Sequence, residues 1–294
     1  MLSHIPVLLK ESIAGLNLKK NSSVIDATAD GGGHAAEILK KLGKRGKLVA
    51  LDLDPEMAER LKDKFRKEKR VKVFHLNFRD IGKLAKSLSA GGRRPDAIFF
   101  DLGLSSLQLS ASGRGFSFQK NEPLDMRFNP EKGQSTKELL KKISLPKLED
   151  IIRTYGEESW AKKIAQAIGE VLLKRKIETS AELANIIKGA VRRRGKMHPA
   201  TKTFQALRIY LNEELENLEM GLKAAFEILA PKGRVAIISF HSMEDRIVKN
   251  FFRDKARGQE GRLIIKKVLR PGREEILLNP RARSAKLRII EKIK

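Results

Sequence analysis

Three consecutive glycines, Gly31, Gly32 and Gly33, lie between an apolar stretch, Val24 to Thr28, and a helical pattern that begins at His34. Glycine is placed where φ must be positive or where a ligand approaches the main chain. A strand, a glycine turn and a helix N-terminus together make either a seat for a polar ligand or a plain tight turn. Asp52, 19 residues beyond Gly33, falls in the apolar run 47–54. A carboxylate there can accept hydrogen bonds from both ribose hydroxyls of a nucleoside cofactor held over the turn. A dinucleotide site would read GxGxxG and cradle pyrophosphate, whereas this chain reads DATADGGGH. S-adenosylmethionine has no phosphate, and needs only close backbone approach for its methionine part and an acid for its ribose.

A second acid, Asp101, follows the apolar residues Ile98, Phe99 and Phe100. Burying it without a partner would be unfavourable, which puts it at the mouth of a cleft, on the sheet edge where open α/β folds bind ligands. Methylation of an exocyclic amine needs such a group, because the nitrogen lone pair is delocalised into the ring and an acceptor on the amino protons helps to localise it. Phe78, beside Asp80 at the end of a third strand, either covers an adenine face or belongs to the core. His241, in SFHS at the end of a fifth strand, either contacts RNA or satisfies strand-end backbone, and Ser242 reads as a helix N-cap with Asp245 three residues on. The five histidines have no metal-ligand spacing and cysteine is absent, so no metal site is expected.

The elements that must position these residues follow from periodicity. Four apolar segments, ending with 96–103, alternate with helical patterns, which is the signature of a parallel sheet covered by helices. A fifth, 233–242, comes about 130 residues after the fourth, more than one crossover needs. Between them lies a Gly- and Pro-rich excursion, 112–135, of the kind that makes a lid or binding loop, in which Phe116 and Phe118 either stack on a base or anchor the loop. Helical periodicities follow, through Trp160, Ile164, Ile168 and Leu172, through Leu183 to Val191 after an N-cap at Thr179, and through Phe204, Leu207, Leu211, Leu215 and Leu218. The segments 263–269 and 284–293 read as two last strands. The fold class is therefore α/β: a Rossmann-like, mainly parallel sheet at 1–108 and 207–294, with an all-helical insert at 109–206 for substrate recognition.

The chain has 294 residues, 41% of them hydrophobic, enough for a full core. Lys and Arg total 61 against 36 Asp and Glu, a net charge of +25 that favours nucleic acid as partner and a salt-dependent affinity for it. Arg192, Arg193, Arg194 and Lys196 read as a phosphate-contacting stripe. No stretch approaches a membrane span or a signal peptide, so a cytoplasmic protein that engages no membrane is expected.

Motifs spread over nearly the whole length, among them GGGH, LDLDP, DLGLSSLQL, RGFSF, PLDMR, HPATKTFQALRIYLNEEL, ISFHSMEDRIVK and NPRARSAKLR, are together very specific. The chain resembles the MraW-type (RsmH) bacterial 16S ribosomal RNA (cytosine-N4) methyltransferases. That resemblance implies a class I methyltransferase fold and S-adenosylmethionine as cofactor, with contacts at Gly32, Gly33, His34, Asp52, Phe78, Asp101 and Gln108. It implies direct transfer to N4 of a cytosine in the decoding region of 16S rRNA, presented in the assembled small ribosomal subunit, with Asp101 as the catalytic acceptor. Ala29 stands where the family has an aromatic residue, and Leu107 where it has proline. Two competing readings are a nicotinamide-dependent oxidoreductase, disfavoured by the absent GxGxxG, and a non-catalytic RNA-binding assembly factor, disfavoured by Asp101 beside an intact glycine turn. Sequence leaves the oligomeric state open.

Overall fold

The computed structural model describes residues 6–84, 93–191 and 198–294. By packing, the chain divides into two units, Met1–Gly103 with Leu215–Lys294, and Leu104–Glu214. The joints expected at 108/109 and 206/207 fall inside the helices Ser106–Ala111 and Thr201–Leu211, whose hydrogen-bonded turns do not divide.

The first unit is a seven-stranded sheet of β1 (Ser23–Asp26), β2 (Lys47–Asp52), β3 (Val71–His75), β4 (Ala97–Asp101), β5 (Arg234–Ser239), β6 (Gly261–Leu263) and β7 (Lys286–Lys292). Its order is β3-β2-β1-β4-β5-β7-β6, and only β7 pairs antiparallel with its neighbours. The strands read as continuous apolar runs because both faces are covered. Val24, Leu48, Phe99 and Ile238 point into one core, with Ile38 of the helix Gly33–Lys41; Ile25, Val49, Ile98 and Ile237 point into the other, with Leu222 and Phe226 of the helix Glu214–Ile228. The order of strands reverses between β1 and β4, which leaves a crevice at their carboxyl ends.

Several expected elements differ. The run 71–78 is a strand only to His75, and Asn77 then caps a 3-10 turn, Phe78–Lys83. The segment 263–269 leaves β6 at Leu263 and returns as a single bridge between Leu269 and Leu287. The helix after β5, Ser242–Arg257, starts one residue early: His241, not Ser242, is its N-cap, in a capping box with Glu244, while Asp245 binds Arg288 and Lys286 instead.

In the second unit the helices Leu145–Gly156, Ala161–Leu172, Ser180–Ala190 and Thr201–Leu211 enclose their own core. Thr179 caps the third of these as expected. The helices at Gly156 and Lys202 run so close that a Cβ on Gly156 would lie 2.8 Å from the Lys202 carbonyl. The apolar period through Leu218 spans two helices, because Glu213 at φ 51° breaks the chain after Leu211. The 112–135 segment is fastened to this core: Arg114 donates to the Arg127 and Phe128 carbonyls, Leu124 N to the Glu178 carbonyl, and Thr136 N to the Asp125 carbonyl. Phe116 is buried against Phe128, and Phe118 stacks on His198 at 4.5 Å. Both rings thus anchor the loop.

Candidate active site

The glycine turn is built by strand-end backbone. Ala29 N donates to the Leu51 carbonyl and Gly32 N to the Ala29 carbonyl, which turns the chain off β1 into the helix Gly33–Lys41. Gly32 caps that helix at φ +71°, and a Cβ there would come within 2.9 Å of Leu61; one on Gly33 would sit 2.6 Å from the Pro6 ring. A Cβ on Gly31 would meet nothing within 4 Å. Two of the three glycines are thus required by packing, and the third leaves room above the turn. Lys64, at the end of the helix Pro55–Lys64, donates to the carbonyls of Gly31 and Gly32 at 2.7 and 2.9 Å. Burial pushes its pKa down, and Asp30 opposes that.

Three strand-ending acids collect at the same edge. Asp52 ends β2, and its two oxygens accept from Asp30 N and Asp54 N, both at 2.8 Å, which fixes the carboxylate while leaving each oxygen a second lone pair. Burial raises its pKa to about 8, against the lowering effect of the Asp54 amide. Asp26 ends β1 fully buried, and burial lifts it to about 7. Asp101 ends β4; its backbone N–H donates to Thr28 Oγ1 at 2.6 Å. Its pKa is raised well above the carboxylate range by burial, and further by Asp26, Asp30 and Glu244. One oxygen of Asp26 and one of Asp101 are buried without a hydrogen-bond partner among the described residues.

His34, in the first turn of the helix Gly33–Lys41, links that helix to Asp101. Its ring is 5% exposed and lies 4.5 Å from Phe99. Nε2 is 3.0 Å from the Val7 carbonyl, and Nδ1 is 3.4 Å from Asp101 Oδ2. A carbonyl only accepts, so Nε2 carries the proton, and Nδ1 faces the acid. A proton held between Nδ1 and Oδ2 satisfies both groups.

The remaining candidates are distributed differently. Phe78 is half-buried, edge-on to Phe100 at 5.6 Å, over Gly221, where a Cβ would come 2.6 Å from its ring. Gln108 belongs to the 104–214 unit and is engaged in a capping box, its Oε1 accepting from Ser105 N at 3.1 Å and its N–H donating to Ser105 Oγ at 2.9 Å. His241 turns onto its own helix: Nδ1 accepts from Glu244 N at 3.4 Å and Nε2 lies 3.1 Å from Glu244 Oε1. Arg192, Arg193, Arg194 and Lys196 lie outside the described residues. Sequence reasoning missed Asp26, Thr28, Lys64 and Glu244. Asp26 had a usable signal, an acid ending an apolar strand just as Asp101 does.

Comparison with known proteins gives the geometry a context. The model of the MraW methylase family matches residues 1–293. The chain is 42% identical over 312 residues to ribosomal RNA small subunit methyltransferase H of Nitrosomonas europaea, covering 99% of this chain and 97% of that protein. The same figures hold for the protein of that name from Nitrosomonas eutropha. A methyltransferase from Streptococcus mutans, solved in complex with SAH, is 17% identical, with 98% of this chain and 99% of that one covered and a TM-score of 0.49. Because the family match runs through both units, and relatives covered over 97% of their length are 42% identical to it, the chain belongs to the MraW methylase family.

Proposed function

We propose that this methylase transfers a methyl group from S-adenosylmethionine to N4 of a cytosine in the decoding region of 16S rRNA, presented in the assembled small ribosomal subunit. The observation that carries the reading is the pair of buried acids at the switch point, Asp26 and Asp101, each with an unsatisfied oxygen among the described residues. Carboxylates crowded until their pKa values rise favour a cation and repel pyrophosphate, which fits a sulfonium and an ammonium better than a dinucleotide. S-adenosylmethionine, when bound, supplies an activated methyl group on a positively charged sulfur. Asp52, held by two backbone amides, receives the ribose hydroxyls, the opening above Gly31 admits the methionine part, and Phe78 borders the base. Gln108 is carried over from the family as a further cofactor contact.

Asp101 acts on the acceptor. Beside a positive ligand it ionises, and its carboxylate then accepts a hydrogen bond from the cytosine amine and aligns the nitrogen lone pair. The nitrogen forms its bond to the methyl carbon as the carbon–sulfur bond breaks, and the surplus amine proton passes to Asp101, with His34 Nδ1 as the next acceptor at 3.4 Å. No cysteine is present to attack the ring, so the transfer is direct. A stacked or paired amine cannot reach Asp101, so the base must be turned out. The helical unit and the 112–135 loop are read as the parts that grip rRNA by shape and phosphates, and Arg192, Arg193, Arg194 and Lys196 as phosphate contacts. His241 adds to that contact only if it leaves its cap.

The test is nucleoside mass spectrometry after incubation with labelled cofactor and either small subunits or naked rRNA. Label on N4-methylcytidine in the subunits is the expected outcome. Label on adenine, on carbon 5 of cytosine, or only on free oligonucleotide would overturn the proposed target.

A further inference from the structure

The stretch from β6 into β7 is rich in cations of two kinds. Arg262 pairs with Glu291, and Lys286 and Arg288 pair with Asp245; these belong to the framework. Lys266, Lys267, Arg270, Arg273, Arg281 and Arg283 are exposed, and among the described residues none has a hydrogen bond or ion pair through its side chain. Of the two acids between β6 and β7, Glu275 is already engaged, accepting Leu8 N at 2.7 Å.

Strand register says where these cations stand. Asp101 pairs with Ile238, Ile238 with Leu287, and Leu287 exchanges backbone hydrogen bonds with Leu269. Leu269 therefore lies in the same row of the sheet as Asp101, three strand spacings away, about 14 Å. Because β7 runs antiparallel, the chain passes beyond the carboxyl edge of the parallel strands after Leu269 and returns at Lys286. The four arginines all lie on that excursion. It is fastened at both ends: Ala282 and Ala285 are fully buried, and the Glu275 bond holds the helix Arg273–Leu278 beside Val7, whose carbonyl orients His34.

We propose that the 270–285 excursion is a phosphate-binding arm, whose Arg270, Arg273, Arg281 and Arg283 hold the rRNA backbone next to the nucleotide that enters the cleft at Asp101. This rests on the rRNA reading above. A set of exposed guanidiniums without side-chain partners among the described residues suits phosphate oxygens, to which arginine can donate in pairs. Cations that served only solubility would need neither a buried anchor nor an excursion that leaves the sheet in the row of Asp101.

The experiment compares three proteins: wild type, the quadruple variant Arg270→Ser, Arg273→Ser, Arg281→Ser and Arg283→Ser, and a control with equal charge loss at the opposite sheet edge, Lys41→Ser, Lys44→Ser, Arg45→Ser and Lys47→Ser. Binding to small subunits is measured from 50 to 300 mM salt, alongside melting temperature and calorimetric affinity for S-adenosylmethionine. The arm variant is expected to keep its fold and cofactor affinity, bind subunits about tenfold or more weakly at 0.15 M salt, and lose about three from the slope of log affinity against log salt, four contacts at about 0.7 to 0.9 each. The control should keep the wild-type slope. Equal losses in both variants, or an unchanged slope in the arm variant, would overturn the arm while wild-type methylation of rRNA stood. A wild-type protein that puts no label on rRNA would instead remove the reading beneath it.

Discussion

Asp26 and Asp52 make the ligand-free protein respond to pH in the sense opposite to an ordinary salt-bridged acid. Their folded pKa values, about 7 and about 8, stand above the unfolded value because burial disfavours the charge. The folded state therefore binds more protons than the unfolded one, so the contribution of these groups to stability falls as pH rises from about 4 through 8. Asp26→Asn removes one such penalty. Thermal melts should find the variant more stable than wild type at pH 8, by about 1.4 kcal/mol for each unit of the shift removed, with the gap closing toward pH 5; a gap independent of pH would refute the assignment. Asp52→Ala should weaken S-adenosylmethionine about 10- to 100-fold by calorimetry, the worth of one or two hydrogen bonds to a charged group. Asp52 and Asp101 were legible in the sequence because each ends an apolar strand. Asp26 carries the same signature but lies so close to the glycines that it reads as part of the strand leading into them. The use of His241 as a cap was not legible, since histidine is not among the residues that ordinarily occupy that position.

Among the elements, the turn into the helix Gly33–Lys41 is the most exacting. Gly32→Ala puts a side chain at φ +71° and into Leu61, Phe65 and the Lys64 ammonium, so it both strains the backbone and displaces the lysine that holds the Gly31 and Gly32 carbonyls. A stability loss of about 1–3 kcal/mol by denaturant titration and a marked loss of cofactor binding are expected; wild-type values for both would mean that the turn is not the cofactor seat. The parallel strands were readable from sequence because helices cover both faces and leave unbroken apolar runs. The break at Glu213 was not, because the apolar stripe continues in phase across the interruption and period alone cannot register a residue at positive φ. The glycines and prolines of the 112–135 segment suggest a lid or binding loop, but nothing in its sequence marks Arg114, Leu124 and Met126 as the buried residues that fasten it to the helical core.

The whole molecule has separate cores, and the helical one shares no residue with the two flanking the sheet. The single tryptophan, Trp160, packs against the helical core, so its fluorescence reports that unit alone. Ile168→Ala, at a fully buried position, should move the fluorescence transition by about 2–5 kcal/mol and leave the S-adenosylmethionine affinity of the sheet unit near wild type. A parallel collapse of both would show that the units unfold as one. The division into a sheet and an insert was legible because the fourth and fifth strands stand too far apart for one crossover. The placing of basic residues was less so: a cluster such as 192–196 catches the eye in sequence, while the arginines of the 270–285 excursion are interspersed with apolar and acidic residues and become a group only through strand register.

The order of the sheet also bears on how the protein is made. β7 is the last of the seven strands to be synthesised, yet it fills an interior position between β5 and β6, and Lys292 at its end donates to the Phe226, Glu227 and Leu229 carbonyls that finish the helix Glu214–Ile228. Until residues 286–292 leave the ribosome, β5 presents an open edge and that helix lacks its terminal partners. A nascent chain thus has the acids Asp26, Asp52 and Asp101 in place before it has a complete sheet to hold them, and termination of synthesis before Lys286 would release a product with an exposed β5 edge, a template for aggregation.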